Sequence, residues 1–186
     1  MAIFAEISMK ILTRYFIYLS FKGTSYHGWQ LQPGSLTVQK MLNDAISTIL
    51  GEIISVTGAG RTDAGVHASF FCAHFDSLLP DLDKRKNLIF RLNRYLPPDI
   101  SVTGIRKVRP DANARFSAIS RTYMYRISRA KDPFGTETGW YVHGDLDIDA
   151  CLLYTSDAAD DLLCVDLGGR RIIKKKKKEN KKIKAI

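Results

Sequence analysis

Apolar residues along this chain change period several times, and each change marks an element. Arg14 to Phe21 reads Arg-Tyr-Phe-Ile-Tyr-Leu-Ser-Phe, rich in β-branched and aromatic residues, and predicts a strand. A polar, glycine-bearing loop follows from Lys22 to Ser35. Thr37 stands where a helix N-cap would stand. Behind it, Val38, Met41, Leu42, Ala45, Ile46, Ile49 and Leu50 recur with helical spacing, predicting an amphipathic helix that ends near Gly51. Glu52 to Gly58 predicts a second strand and Val66 to Phe75 a third. Residues 83–96 predict a second helix with Leu88, Ile89, Leu92 and Leu96 on one side, stopped by Pro97-Pro98. Ile100 to Val108 predicts a fourth strand and Ile119 to Arg129 a fifth.

That order is strand, helix, strand, strand, helix, strand, with one strand added. It predicts a ferredoxin-like (RRM-like) α/β sandwich, an antiparallel sheet with two helices on one face. The other face is left open for a partner domain or RNA. No internal repeat is visible.

Composition narrows the class. The chain has 186 residues and is 45% hydrophobic, enough for one domain with a core of its own. No apolar run is long enough to span a bilayer, so no membrane association is expected. The stretch from Met1 to Met9 lacks the basic start and the cleavage site of a signal peptide, and Met9 is an alternative start position. Cys72, Cys151 and Cys164 are too few and too scattered for a disulfide framework, which fits a reducing cytoplasm. The net charge is +9, unevenly spread. Residues 1–150 hold 18 basic and 14 acidic side chains, whereas residues 151–186 hold 10 and 5. The body is only mildly basic, so it binds RNA only if its arginines gather in one place.

The chain changes character at Ala150. The string from Cys151 through Asp161, the Gly168-Gly169-Arg170-Arg171 step and the lysine run Lys174 to Lys178 resemble the conceptual translation of a sequencing adaptor. The alternative is a genuine basic tail for RNA or membrane phosphates. The expected organisation is an extension over 1–13, a catalytic domain over 14–150 and a non-native basic tail over 151–186. On that reading the natural frame continues past Ala150, and this polypeptide is a truncated copy with little activity.

The residues that carry chemistry lie in Gly58-Ala59-Gly60-Arg61-Thr62-Asp63-Ala64-Gly65, between two predicted strands. Glycines let a backbone turn tightly and approach a ligand. Asp63 is presented at a strand end, with Arg61 two residues earlier. A nearby guanidinium favours an ionised carboxylate, which a nucleophile or base requires. The plainer reading is a β-turn whose aspartate caps local amides. A P-loop is disfavoured, because the Gly-Lys-Ser/Thr ending is absent.

The longer string Gly60-Arg61-Thr62-Asp63-Ala64-Gly65-Val66-His67-Ala68 resembles the active-site loop of the TruA-type tRNA pseudouridine synthases. Three other stretches agree in the same order: Tyr26-His27-Gly28-Trp29-Gln30, Leu96-Pro97-Pro98-Asp99-Ile100, and Ala114-Arg115-Phe116-Ser117-Ala118 with Arg121-Thr122-Tyr123-Met124-Tyr125. Together they cover about residues 14–130. The resemblance implies that Asp63 is the catalytic nucleophile, that Tyr123 stacks on the uridine, and that Arg61 is the substrate-binding arginine of the loop. It implies isomerisation of uridine to pseudouridine in the tRNA anticodon stem-loop, with no cofactor or metal and with a homodimeric enzyme. In one respect the chain departs from the family: Phe70-Phe71 stand where members usually carry a Gly-Gln pair.

Arg115, Arg121, Arg126 and Arg129 could line a phosphate track, although each alone reads as a solvated surface residue. Trp29 reads equally as core or as a base platform, and His27 as loop structure or an RNA contact. His67 and His74 lie seven residues apart, hence on opposite strand faces, which argues against a shared zinc site. Cys72 reads as a buried small hydrophobe. The competing function is a non-catalytic RRM-like RNA-binding module, against which the intact Gly-Arg-Thr-Asp loop argues.

Overall fold

The structure is a computed structural model that describes residues 12–128, 130–135, 137–143 and, as backbone, 180–185. It divides into two compact units, residues 1–118 and 119–186. The boundary expected at Ala150 lies outside the described residues.

The first unit is built on β1 (Thr13–Phe21), α1 (Val38–Leu50), β2 (Thr57–Gly58), β3 (Ala68–Ser77), α2 (Leu88–Tyr95) and β4 (Ile100–Lys107). The strands form an antiparallel sheet in the order β2-β3-β1-β4. This is the ferredoxin-like α+β arrangement expected from the pattern. Strand β1 alternates strictly: Tyr15, Ile17, Leu19 and Phe21 are buried, while Arg14, Phe16, Tyr18 and Ser20 face the other way. The buried set meets Ala73 and Phe75 of β3, Val102 of β4, Val38, Leu42, Ala45 and Ile46 of α1, and Leu88 and Leu92 of α2. Each fully buried aliphatic or aromatic side chain of this kind contributes about 1.5–3 kcal/mol. Among the described residues no helix covers the opposite sheet face.

Helix α1 forms as predicted. Thr37 caps it by accepting a hydrogen bond from the Lys40 amide, and Gly51 ends it in a left-handed conformation. The second strand is much shorter than Glu52 to Gly58. Its first half is spent on α1 instead of a neighbouring strand: the Ile54 amide donates to Ser47 Oγ at 2.9 Å, the Val56 amide donates to Asn43 Oδ1 at 2.9 Å, and Gln39 Nε2 donates to the Val56 carbonyl. Only Thr57 and Gly58 then remain to pair with β3.

The helix predicted over 83–96 is broken. A 3-10 turn at Leu82–Lys84 ends in extended backbone at Arg85, and α2 starts at Leu88. On one continuous helix, Leu82 and Leu88 would point about 120° apart. The break lets both be buried, at 1% and 5% exposure.

In the second unit, β5 (Thr122–Ser128) pairs in parallel with β6 (Trp140–Tyr141) and β7 (Asn180–Ala185), in the order β6-β5-β7. The fifth strand therefore belongs to a second sheet and does not extend the first. Residues 122–126 are all exposed, which removes the one-sided burial that would have fixed it against the sandwich core. Among the described residues no helix is long and apolar enough to cross a membrane.

Candidate active site

Between β2 and β3 the chain must leave one strand and return beside it, and residues 59–67 make that excursion. The Val66 amide donates to the Asp63 carbonyl at 3.3 Å, closing a turn with Asp63 at its start. The loop after β1 runs against this turn. The Trp29 amide donates to the Thr62 carbonyl at 3.1 Å, and the Gly65 amide donates to the Tyr26 carbonyl at 3.3 Å. The Gly23 amide donates to His67 Nδ1 at 3.2 Å. Residues 26–29 thus bracket residues 62–65 on both sides of Asp63.

Two glycines make this approach feasible. Gly28 has φ +81°, and a Cβ there would lie 2.3 Å from the Thr62 carbonyl oxygen. A Cβ at Gly58 would lie 2.5 Å from the Trp29 indole. The indole is only 3% exposed, and its ring centroid is 4.4 Å from that of Phe71 and 6.2 Å from that of Phe21. Trp29 is therefore core, and it acts as the floor under the start of the loop. Thr62 Oγ1 is buried and makes no hydrogen bond among the described residues, a local cost that the surrounding backbone bonds offset.

The third stretch closes the set. Tyr26 Oη donates to Asp99 Oδ1 at 2.7 Å, and the Lys22 amide donates to the Asp99 carbonyl at 2.8 Å. Three of the four stretches singled out in the sequence are thus in direct contact. Asp63 and Arg61 end up exposed on the resulting loop, and no ion pair links them among the described residues. His27 is also exposed.

The Asn113–Ser117 turn is fixed from the helix-free face of the sheet. Asn113 Oδ1 accepts from the Arg115 amide at 2.9 Å and from the Phe116 amide at 3.1 Å. His74 Nδ1 accepts from the buried Ala114 amide at 3.2 Å, and Arg14 Nη1 donates to the Ala112 carbonyl at 3.1 Å. Arg14 also grips Asp76 with two bonds of 2.8 and 2.7 Å. The turn carries Arg115 outward, its guanidinium carbon 5.7 Å from the Phe116 ring centre. Chain spacing gave no hint of His74 or Arg14 in this role, because both act across the sheet on a segment about forty or a hundred residues away.

Phe70 and Phe71, where the resemblance departs, point to opposite faces. Phe71 packs inward on Trp29, whereas Phe70 is 68% exposed and stacks on Tyr18 with ring centres 5.7 Å apart. Cys72 is a half-buried free thiol, and burial pushes its pKa up to about 11. His67 lies just before β3 and His74 within it, and each serves as a backbone acceptor.

In the second unit, Tyr123 and Tyr125 are exposed on β5, at 41% and 47%. Arg126 Nη1 donates to Thr138 Oγ1 at 3.3 Å. Arg121 lies just before β5 and is half-buried, and Arg129 lies outside the described residues.

No protein-family model matches the chain. Curated relatives do. It is 52% identical over 136 residues to the tRNA pseudouridine synthase A of Bacteroides thetaiotaomicron, covering 73% of this chain and 50% of that protein. Against the tRNA pseudouridine synthase A of Bacteroides fragilis it is 51% identical over 134 residues, 72% of this chain and 53% of the relative. The similarity persists at distance: the tRNA pseudouridine synthase A of Aquifex aeolicus is 39% identical over 137 residues, 73% of this chain and 56% of the relative. The chain spans about half the length of the curated relatives it matches. That similarity, over a ferredoxin-like unit whose loops converge around Asp63, supports a TruA-type tRNA pseudouridine synthase assignment.

Proposed function

We propose that the protein from which this chain comes isomerises uridine to pseudouridine in the anticodon stem-loop of tRNA, as a cytoplasmic homodimer, with Asp63 as nucleophile. The observation that carries the proposal is the bracketing of residues 62–65 by residues 26–29, with Tyr26 tied to Asp99. That amount of backbone fixation around one exposed carboxylate suits a group that must be presented, not buried.

The reaction breaks the bond between N1 of uracil and C1′ of the ribose. The base rotates, C5 bonds to C1′, N1 gains a proton, and the hydrogen on C5 leaves to solvent. Nothing is oxidised or reduced, so the reaction needs no redox cofactor. Asp63 acts by adding to the uracil ring or at the sugar carbon, and both routes need its ionised form. Arg61, on the same loop, would hold a phosphate or the ring oxygens. Tyr123 would stack on the uracil once it has left the helix, offsetting part of the few kcal/mol that extrusion costs.

Residues 151–186, where the composition of the chain changes, are proposed to be foreign to the natural protein. On that reading this polypeptide alone has little activity. The test uses the full-length protein and tRNA transcripts tritiated at C5 of uridine. Asp63→Asn is expected to abolish tritium release while tRNA affinity stays within about twofold. Normal turnover in that variant would remove Asp63 from the mechanism. The 186-residue chain, assayed alongside, is expected to release little tritium.

A further inference from the structure

The helix-free face of the first unit's sheet carries a feature that the catalytic loop does not use. Tyr18 on β1 and Phe70 on β3 stack there, ring centres 5.7 Å apart and planes inclined by 21°. Phe70 is 68% exposed, and Tyr18 is half-buried. On the other side of Tyr18, its partner across β4 is Gly104, which has no side chain to cover the ring. The pair is held by strands hydrogen-bonded to neighbours, so it is presented as a rigid surface. Arg106 lies on the same face, two residues along β4 and opposite Phe16. The carboxylate on these strands, Asp76, is committed to Arg14. The face therefore offers an open aromatic surface beside a cation, with no unpaired negative charge on the described strands.

An apolar protein partner would be matched by a continuous aliphatic surface. An unpaired nucleobase is matched by a rigid ring stack with a guanidinium nearby to meet its phosphate. We propose that the Tyr18–Phe70 pair is a stacking platform for an unpaired base of bound RNA, distinct from the base that reacts at Asp63. The proposal rests on reading the protein as one that acts on tRNA.

The test titrates the 186-residue chain into a fluorescein-labelled tRNA anticodon stem-loop and follows anisotropy. Because Phe70 is exposed, its replacement should leave thermal unfolding nearly unchanged. Phe70→Ala and Tyr18→Ala are each expected to weaken binding roughly 5- to 150-fold, the range for loss of one base–aromatic stack. Phe70→Trp should retain affinity, and Phe70→Leu should lose it as Phe70→Ala does, since an isobutyl group has no π-face. The slope of affinity against salt should not change, because no phosphate contact is removed. The proposal is overturned by affinities within twofold of the parent, by wild-type binding in Phe70→Leu, or by a parent chain that does not bind this RNA. It is equally overturned if Phe70→Ala changes the sedimenting mass, which would make the face a contact between copies. Phe90→Ala, at an exposed phenylalanine on α2, is measured in parallel and is expected to bind like the parent. Binding is read here without turnover, so a failure of the Asp63 assignment in the tritium assay leaves the platform result standing, and the reverse also holds.

Discussion

Tyr26 Oη donates a 2.7 Å hydrogen bond to Asp99 Oδ1, joining a phenol buried in the loop after β1 to the residue that precedes β4. The Tyr26 carbonyl accepts from the Gly65 amide, two residues past Asp63. Asp99 is thus one hydrogen-bonded residue away from the loop that carries the candidate nucleophile. Burial first, and the bond to Asp99 second, raise the Tyr26 phenol well above its usual range. Its stabilising effect is then fully present below about pH 10, where an unfolded tyrosine ionises, and is lost as pH rises further. Tyr26→Phe removes the bond and keeps the ring. It is expected to cost about 1–3 kcal/mol in urea unfolding and, in the full-length protein, to lower turnover more than tRNA affinity. A variant with parental stability and turnover would show that the bond does not position the loop.

The close approach at Gly28 separates two effects of adding a methyl group. A Cβ at Gly28 meets the Thr62 carbonyl oxygen at 2.3 Å, whereas one at Gly34 meets nothing within 4 Å, and both residues have positive φ. Gly34→Ala should cost only the left-handed backbone term, about 1–2 kcal/mol. Gly28→Ala should cost that and also push residues 62 and 63 away, so turnover should fall much further than in Gly34→Ala. Thermal melts paired with single-turnover rates would check this. Equal effects in the two variants would contradict it.

Much of this architecture was legible because it rests on period. The aromatic and β-branched run of β1 and the helical spacing of Val38 to Leu50 both formed the elements they predicted, the helix with its expected ends at Thr37 and Gly51. Glu52 to Val56 misled because its composition suits a strand, while its backbone partners turned out to be Ser47, Asn43 and Gln39 of α1. Those side chains look like an ordinary polar helix face in sequence. The break at Arg85 was hidden for a related reason: burying Leu82 and Leu88 together is a tertiary demand. At the candidate site, Asp63 and Arg61 were singled out by resemblance and not by chemistry, since Gly-Arg-Thr-Asp alone also describes a common turn. Tyr26 with Asp99, and His74 with Ala114, could not be read from spacing because each pair is separated by tens of residues.

The Arg14–Asp76 pair anchors the helix-free face, and Arg14 also holds the Ala112 carbonyl. The bidentate bond to Arg14 is the main reason the Asp76 carboxyl lies below its usual range. A depressed carboxylate stabilises the fold above the unfolded value near pH 4, and that contribution fades as pH falls below it. Asp76→Asn is expected to lose about 1 kcal/mol at neutral pH, modest because both side chains are partly open to water. It should also flatten the acid limb of the urea midpoint. An unchanged acid limb would exclude Asp76 as its source.

His74 links that face to the Asn113–Ser117 turn, and its titration should be visible at milder pH. The side chain is 6% exposed, and its Nδ1 accepts from the Ala114 amide, so the ring is neutral with Nδ1 bare. Protonation would set one N–H against another. Burial, then the charge of Arg14, lowers its pKa, and Asp76 only partly opposes them. Those two charged groups face the ring from β1 and β3, and Phe16 lies beside it at 6.3 Å. The sign follows from the depressed value. The contribution is complete above about pH 6.5, where an unfolded histidine is neutral, and declines as pH drops through the folded value. His74→Asn keeps an acceptor near the Ala114 amide without a titrating ring, whereas His74→Phe leaves a buried N–H unsatisfied, at about 1–3 kcal/mol. At neutral pH the Phe variant should be the less stable of the two. Between about pH 8 and pH 5 the urea midpoint of the parent should fall by more than that of His74→Asn, since the exposed histidines are common to both. Parallel midpoint curves for these two proteins would show that His74 does not carry the pH response.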